Sequence, residues 1–320
     1  MAAWTDPEWL AGAHAWIHRR VEERHGCVRG PIEQPHVRWW STVLRVPTSA
    51  GVLWFKANHP TSAYEAAVVE VLADVRPDLV PGLVAVDVER GWMLMADGGE
   101  RLREIHERDR NLDRWFDVLP RYGELQIAVS GRAQDLVALG APDRRLATLA
   151  DDYERLIAGI DGPTAGDSAR LRHLVPEVRE MCRALGALGI PETIQHDDLH
   201  DGQVFVRDGT YLFFDWGDSC VSHPFFSMSV TLEGVLAWGL DDVDGSVDIT
   251  PFRDAYLRAF EWYAPRPELE DAHATALRLG WICRALNVWA SAEALEGQDR
   301  EEWLDRVHVR LGMFLRGMRG

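Results

Sequence analysis

The sequence is nearly free of lysine and contains few cysteines. Of its 34 basic residues only Lys56 is a lysine, and all the others are arginines. The four cysteines are widely spaced and include no CxxC pair, which is typical of reduced thiols in a cytoplasmic protein. We therefore expect a cytoplasmic location. If the position of Lys56 is functional, the site there requires a compact point charge rather than a planar guanidinium.

Long hydrophobic runs and a secretory signal are also missing. No stretch approaches 18 uncharged apolar residues, so no membrane span is predicted, and the N-terminus MAAWTDPEWL has no basic region followed by an apolar one. The net charge of −17 argues against nucleic acid or an anionic membrane surface as the main partner. Residues 99–320 carry 25 basic and 39 acidic side chains. This surplus could hold a cationic ligand, although a solvated acidic surface is the simpler explanation.

The first hundred residues combine helix and strand patterns. Thr5-Asp6-Pro7-Glu8 is typical of a helix start and predicts a helix that ends near Arg24. Residues 38–59 predict a β-hairpin, because two runs rich in β-branched and aromatic residues flank the turn-forming PTSAG. The following pattern predicts, in order, a helix over 62–74, strands over 83–88 and 92–96, and a glycine break at 98–99.

The remainder of the chain is predicted to be mainly helical. Amphipathic stretches lie near 111–130, 143–159, 169–187, 251–264, 271–295 and 301–317. The stretch 271–295 contains LRLGWICRALNVWA, which is apolar nearly all round and therefore predicts a buried helix. A segment of strands and loops, residues 193–220, interrupts this helical pattern.

The residues with the clearest chemistry lie in QHDDLHDGQVFVRDGTYLFFDWGD, residues 195–218. Its QVFV and YLFF runs predict a short hairpin around Arg207-Asp208-Gly209. We expect this hairpin to bring Asp198, Gln203 and Asp215 together. Phosphoryl transfer from ATP needs such a set, with a carboxylate to accept the hydroxyl proton, oxygen ligands for magnesium and a cation for the nucleotide phosphates.

The same segment resembles the catalytic signature of the aminoglycoside phosphotransferase family. That signature is H-x-D-x-x-x-x-N, followed by a strand pair and a D-x-G or D-x-E turn. Here HDDLHDGQ supplies His196, Asp198 and Gln203, and DWG supplies Asp215. The resemblance implies that Asp198 is the catalytic base, and that Asp215 and Gln203 bind magnesium (Mg2+).

Upstream motifs extend the resemblance in the family's order. GVLWFKAN looks like the third strand, which implies that Lys56 contacts the α- and β-phosphates of ATP or GTP. YEAAVVEVL resembles the following helix, with Glu65 paired to that lysine. GWMLMADGG looks like the last strand and the hinge that receives the adenine, near Met95, Ala96 and Asp97.

The resemblance implies an α+β, protein-kinase-like fold with two lobes. Residues 1–98 are expected to form the N-lobe, with an N-terminal helix, a small antiparallel sheet and one further helix, and to bind the nucleotide. Residues 99–320 are expected to form the larger, mainly helical C-lobe with the catalytic and metal loops. The implied function is transfer of the γ-phosphate of ATP or GTP to a hydroxyl of a small molecule, such as an aminoglycoside-like antibiotic, an amino sugar, a sugar or an amino alcohol.

Three positions depart from the family pattern. Gln203 stands where asparagine is usual, and one extra methylene shifts its amide oxygen by about 1 Å, a displacement that metal sites sense. The first predicted hairpin has TSAG instead of a glycine-rich phosphate loop. Ser227 stands where the family often has a structural aspartate.

Two other classes of function remain open at this stage. A nucleotide-binding module that has lost its chemistry would account for Gln203. A metallohydrolase could use a set of metal-binding side chains, namely His196, Asp198, His200, Asp215 and His223. The metallohydrolase hypothesis leaves Lys56 without a role. The sequence makes no prediction about the oligomeric state.

Overall fold

The computed structural model describes residues 3–24, 26–160 and 164–318. Its helices are α1 Pro7–Arg24, α2 Glu65–Val75, α3 Leu102–Asp109, α4 Trp115–Val129, α5 Ala133–Ala138, α6 Leu146–Gly159, α7 Ala165–His173, α8 Val175–Ala187, α9 Thr250–Leu257, α10 Arg266–Glu293 and α11 Gly297–Gly317. Its strands are β1 Glu33–Val37, β2 Ser41–Thr48, β3 Gly51–Asn58, β4 Leu83–Asp87, β5 Trp92–Ala96, β6 Glu100–Arg101, β7 Thr193–Gln195, β8 Val204–Arg207, β9 Thr210–Phe213 and β10 Cys220–Ser222. The described residues group into two compact units.

An antiparallel sheet of five strands, in the order β1-β2-β3-β5-β4, forms the centre of the first unit. Side chains alternate along β3, so Phe55 and its neighbours two residues away share one face. That face packs against α1, where Trp16, Phe55 and Trp92 meet edge to face with ring centroids 5.5–5.8 Å apart. Lys56 therefore lies on the opposite face, between Val43 of β2 and Met93 of β5.

The hairpin predicted over residues 38–59 is confirmed as β2–β3, but it is not the first hairpin of the sheet. The sequence analysis missed β1, whose EQPHV has a proline and no alternation of apolar residues. An edge strand tolerates proline because one side of it needs no ladder hydrogen bonds. The first hairpin of the sheet is β1–β2, which is connected by residues 38–40, and the prediction that the first hairpin carries TSAG was wrong.

The first unit takes in the described chain up to Glu104, together with Leu139–Ala141 and Asp201–Gly217. It differs from the predicted N-lobe, residues 1–98, because the β8–β9 hairpin belongs to it. Strand β8 pairs with β9 and with β6, and β6 lies beyond the predicted boundary at residue 98, so the first unit extends past that boundary.

The second unit is mainly helical, with the two-stranded pair β7–β10 beside its helices. The predicted helix over 169–187 is divided into α7 and α8, because Pro176 begins a new helix in its first turn. The predicted buried helix is confirmed as part of α10. An antiparallel sheet with a mainly helical remainder confirms the α+β class. Among the described residues, no helix is long and apolar enough to cross a membrane.

Candidate active site

Lys56 occupies a buried position on β3 and contacts two carboxylates. Its Nζ lies 2.8 Å from Oε1 of Glu65 and 2.6 Å from Oδ1 of Asp215, and the residue is 7% exposed. Burial alone would lower the pKa of Lys56, but the adjacent Asp215 and Glu65 outweigh it and hold that pKa above its usual value. The ammonium is therefore charged and fixed in place.

Glu65 joins three parts of the first unit through one buried carboxylate. It is the first residue of α2, and it accepts hydrogen bonds from Lys56 Nζ, from Asn58 Nδ2 at 2.6 Å and from the backbone N of Trp216 at 2.9 Å. A Cβ at Gly217 would lie 3.2 Å from Oε2 of this carboxylate, so glycine permits the close approach. The predicted Lys56–Glu65 pair is present.

Asp215 begins the turn after β9 with a left-handed backbone, at a φ of 61°. Its Oδ1 contacts Lys56, and its Oδ2 accepts a hydrogen bond of 2.9 Å from Nε2 of Gln203. Hydrophobic strands β8 and β9 hold the two residues side by side, since the backbone N of Phe214 donates to the carbonyl of Gln203 at 2.9 Å.

The Gln203–Asp215 pair fits a magnesium ion. Adjacent oxygen ligands in a magnesium octahedron lie about 2.9 Å apart, which matches the distance between Nε2 of Gln203 and Oδ2 of Asp215. Rotating the Gln203 amide by half a turn about its last side-chain bond puts its oxygen where Nε2 now lies. Both side chains thus offer oxygens of the kind magnesium prefers.

Asp198 belongs to the second unit, in the loop after β7. Buried hydroxyls support the backbone of that loop: the N of His196 donates to Tyr122 Oη at 2.9 Å and to Ser227 Oγ at 3.2 Å. Thr231 Oγ1 donates to the carbonyl of Leu199 at 2.9 Å. Ser227 therefore supplies an acceptor to the loop backbone although it is not an aspartate, and Tyr122 supplies a second one.

A buried arginine on α10 contacts three aspartates of the second unit, two of which lie in the loop after β7. Arg284 Nη2 donates to Asp198 Oδ1 at 2.9 Å, and Nη1 donates to Asp197 Oδ2 at 3.2 Å and to Asp218 Oδ2 at 2.9 Å. Burial raises the pKa of Asp197 to about 6, against the opposing effect of Arg284. Asp197 is 1% exposed, whereas the side chain of Asp198 is 31% exposed. Of the two neighbours, Asp198 is therefore the one that a substrate can reach.

The predicted hinge lies at the end of β5 in the first unit. Met95 pairs with Trp54 of β3, and the backbone N of Ala96 donates to Gly82 at 2.8 Å. Asp97 accepts a hydrogen bond from Nε1 of Trp54 at 2.8 Å through its side chain, and one from Arg207 at 2.7 Å through its carbonyl. These contacts order the segment, while its contact with adenine stays a prediction.

The structure thus brings four of the predicted residues together, Lys56, Glu65, Gln203 and Asp215, and places Asp198 in the other unit. The sequence analysis missed Asn58, Tyr122 and Arg284. Arg284 had a visible signal, because it is one of only two cations, with Arg278, in the apolar run LRLGWICRALNVWA of the predicted buried helix.

Three side chains of the metallohydrolase alternative have other partners: Asp198 contacts Arg284, Asp215 contacts Lys56, and His223 contacts the backbone. His223 is fully buried, its Nδ1 accepts a hydrogen bond from the backbone N of Phe225 at 3.3 Å, and burial lowers its pKa to about 3. Within the part of the chain that the structure describes, no group of three or more His, Cys, Asp or Glu side chains is arranged to hold a metal ion.

Comparison with known proteins defines the class to which this fold and site belong. The profile of the phosphotransferase enzyme family (APH) matches residues 43–274. The chain is a member of that family. No curated protein sequence matches it.

Solved structures share the fold at low sequence identity. The chain is similar to an ethanolamine kinase from Plasmodium vivax, with 11% identity, a TM-score of 0.60, and coverage of 90% of this chain and 83% of the other. It is also similar to a choline/ethanolamine kinase family protein from Mesorhizobium loti, with 18% identity, a TM-score of 0.57, and coverage of 96% of this chain and 94% of the other. A third similar structure is a thermostable mutant of aminoglycoside phosphotransferase APH(4)-Ia in a ternary complex with AMP-PNP and hygromycin B. The identity is 12%, the TM-score is 0.52, and the match covers 95% of this chain and 99% of the other. These similarities confirm the predicted protein-kinase-like fold.

Proposed function

We propose that this protein transfers the γ-phosphate of ATP or GTP to a hydroxyl of a small molecule. The observation that carries the proposal is the position of Lys56, a buried ammonium between Glu65 and Asp215. A kinase of this fold needs a cation fixed in that way for the nucleotide phosphates. Family membership and a neighbour that binds AMP-PNP support the same conclusion.

In this proposal each residue has one role. Lys56, fixed by Glu65, neutralises the nucleotide phosphates, while the segment Met95–Asp97 receives the base. Asp215 and Gln203 would hold Mg2+, which when bound neutralises charge on the phosphates. Asp198 orients the acceptor hydroxyl and accepts its proton.

The reaction balances with these groups alone. The acceptor oxygen forms a bond to the γ-phosphorus, the bond from that phosphorus to the bridging oxygen of the β-phosphate breaks, and the hydroxyl proton passes to the Asp198 carboxylate. The products are a phosphate monoester and ADP or GDP. Lys56 lies within 2.6 Å of Asp215, so the phosphate-binding cation and the proposed metal ligand are already adjacent.

The acceptor is proposed to be a small hydroxylated molecule of the kinds named for the structural neighbours, which include an ethanolamine kinase and a hygromycin B complex. The acidic surplus of residues 99–320 keeps cationic acceptors in the first group to test. Asp197 and Asp218 already contact Arg284, so other carboxylates of the second unit would have to bind such a cation. The expected cytoplasmic location stays a prediction.

A catalytically impaired nucleotide-binding module is the second candidate, because Gln203 replaces asparagine. Phosphate transfer to any acceptor would exclude it. ATP-dependent thermal stabilisation without transfer would favour it. The metallohydrolase predicts a tightly bound transition metal that survives dialysis.

The proposal is tested by magnesium- and ATP-dependent phosphorylation of a panel of antibiotics, amino sugars, sugars and amino alcohols. Asp198→Asn should lower turnover by about 10³-fold while leaving the Kd for ATP within about twofold, because the base is lost but the phosphate site is not. Asp208→Asn is the matched control, since Asp208 lies in the exposed turn of the β8–β9 hairpin. Wild-type turnover in Asp198→Asn would refute the assignment of the base.

A further inference from the structure

Arg284 is a buried cation in an apolar stretch of α10. It is 8% exposed, and its neighbours along the helix, Cys283 and Ala285, are fully buried. A guanidinium removed from water is stable only if carboxylates compensate its charge. The three aspartates around Arg284 meet that requirement, and two of them, Asp197 and Asp198, lie in the catalytic loop.

The guanidinium is fixed by contacts that do not involve Asp198. Asp197 accepts hydrogen bonds from Gln195 Nε2 at 3.0 Å and from Asn287 Nδ2 at 2.9 Å, besides that from Arg284. Asn287 is held in turn by Nε of Arg144 at 3.0 Å. Arg284 therefore sits on a rigid base, and its Nη2 points from that base to Asp198.

The two carboxylate oxygens of Asp198 have different surroundings. Oδ1 accepts the hydrogen bond from Arg284, while Oδ2 lies 3.8 Å from Nε2 of His200, which is beyond hydrogen-bond range. One oxygen is thus held by a charge-assisted hydrogen bond, which restricts the rotation of the carboxylate. The other oxygen is the one that can accept a proton from a hydroxyl.

We propose that Arg284 is a positioning residue for the transfer reaction: it holds Asp198 by one oxygen so that the other meets the acceptor hydroxyl. This inference rests on the proposed function, because it takes Asp198 as the base. Only a planar guanidinium can reach Asp197, Asp198 and Asp218 from two nitrogens, so lysine cannot replace it. A misplaced base slows transfer without weakening nucleotide binding, since misplacement by about 1 Å can cost 10²-fold in rate.

The experiment compares Arg284→Ala and Arg284→Lys with the wild-type protein. Turnover is measured as magnesium-dependent hydrolysis of ATP, with water as the acceptor. Both variants should lower kcat by about 10- to 100-fold and leave KM for ATP within about twofold. Guanidinium chloride at millimolar concentration should restore part of the turnover of Arg284→Ala, whereas equal sodium chloride should not.

Arg266→Ala is the matched control, because Arg266 lies on the same helix and pairs with Asp254 and Glu270, far along the chain from the catalytic loop. It should keep wild-type kcat. A purely structural role for Arg284 would lower stability without rescue by guanidinium, and that result would overturn the inference. Wild-type kcat in Arg284→Lys would also overturn it.

A thermal double-mutant cycle covers the case in which Arg284→Ala does not fold. The variants Arg284→Lys, Asp198→Asn and their combination should give Tm shifts that are not additive, since the two residues contact each other directly. Additive shifts would refute the inference. Loss of turnover in Asp198→Asn with normal turnover in Arg284→Lys refutes only the positioning role, whereas normal turnover in Asp198→Asn refutes the proposed base itself.

Discussion

Nζ of Lys56 and Oδ1 of Asp215 lie 2.6 Å apart although 159 residues separate them in the chain. The same ammonium lies 2.8 Å from Oε1 and 2.6 Å from Oε2 of Glu65, whose carboxylate also accepts a hydrogen bond from the backbone N of Trp216. One lysine and one glutamate therefore fix the turn that contains the proposed metal ligand. This explains why a chain that uses arginine at every other basic position retains a lysine here.

Replacing Lys56 by arginine should abolish most activity although the charge is kept. The wider guanidinium does not fit between two carboxylates that lie 2.6 and 2.8 Å from Nζ, so Asp215 and Glu65 must shift. We expect kcat to fall by about 10²-fold or more, measured with ATP and magnesium. The reverse exchange Arg45→Lys, at an exposed ion pair with Glu33, is the control and should change little. Full activity in Lys56→Arg would contradict the point-charge role.

The magnesium dependence of turnover should show whether the amide oxygen of Gln203, rather than the size of its side chain, is needed to bind the ion. Gln203→Leu removes the amide, so the magnesium concentration that gives half-maximal turnover should rise about 10-fold, within the range for loss of a group at a metal site. Gln203→Asn should remain nearer the wild type, because it keeps an amide oxygen. An unchanged magnesium dependence in Gln203→Leu would show that Asp215 binds the ion without Gln203.

The two hydroxyls that support His196 should substitute for each other. Tyr122→Phe or Ser227→Ala alone leaves the His196 N–H with one acceptor, at 3.2 or 2.9 Å, and each should lower the free energy of unfolding by about 1 kcal/mol. The double variant leaves the buried His196 N–H without either acceptor. Its free energy of unfolding should fall by about 1–3 kcal/mol more than the sum of the two single losses. Urea unfolding measures these values. Tyr153→Phe, which removes a different buried hydroxyl bond, is the control. Additive losses would contradict shared support.

Stability should fall as the pH is lowered from 6 to 4. Burial lowers the pKa values of His223 and His273 to about 3, so the unfolded chain binds two more protons than the native state below pH 6.5. Burial raises the pKa of Asp197 to about 6, so the native state binds one more proton there. Together these three groups contribute a net difference of one proton, equivalent to a slope of about 1.4 kcal/mol per pH unit.

Urea unfolding at pH 6 and pH 4.5 measures this slope. His273→Gln removes one of the two histidine contributions and should lower the slope by about 1.4 kcal/mol per pH unit over the same interval. The result that would contradict the assignment is an unchanged slope in that variant, because His273 would then not contribute.

Local patterns predicted most elements of the first unit, and the resemblance to the family's motifs predicted its Lys56–Glu65 pair. Lys56 follows a β-rich run, and Glu65 starts an apolar helix, so both positions carry a signal in their own neighbourhood. β1 was missed because Pro35 and the polar residues around it hide an edge strand. Arg284 was missed because its partner Asp198 lies 86 residues away, and helical periodicity contains no information about such pairings.

Ser227 illustrates a different limit of sequence reasoning. A missing aspartate indicates a departure from the family pattern, but not what replaces it. In the structure the compensation comes from Tyr122 on α4, whose hydroxyl lies 2.6 Å from Ser227 Oγ and 2.9 Å from the His196 backbone N. Neither residue predicts this contact alone, since it exists only once α4 packs beside the loop.

The discontinuous first unit has a consequence for synthesis of the chain on the ribosome. The backbone N of Phe213 donates to the carbonyl of Leu79 at 2.8 Å, and Lys56 finds Asp215 only when that part of the chain exists. At a typical 5–20 residues per second, residue 217 follows residue 98 by on the order of ten seconds. During that interval the Lys56 ammonium lacks one of its two carboxylate partners, Asp215. Completion of the first unit therefore waits for residues 201–217, which are made after five complete helices of the second unit, α4 to α8.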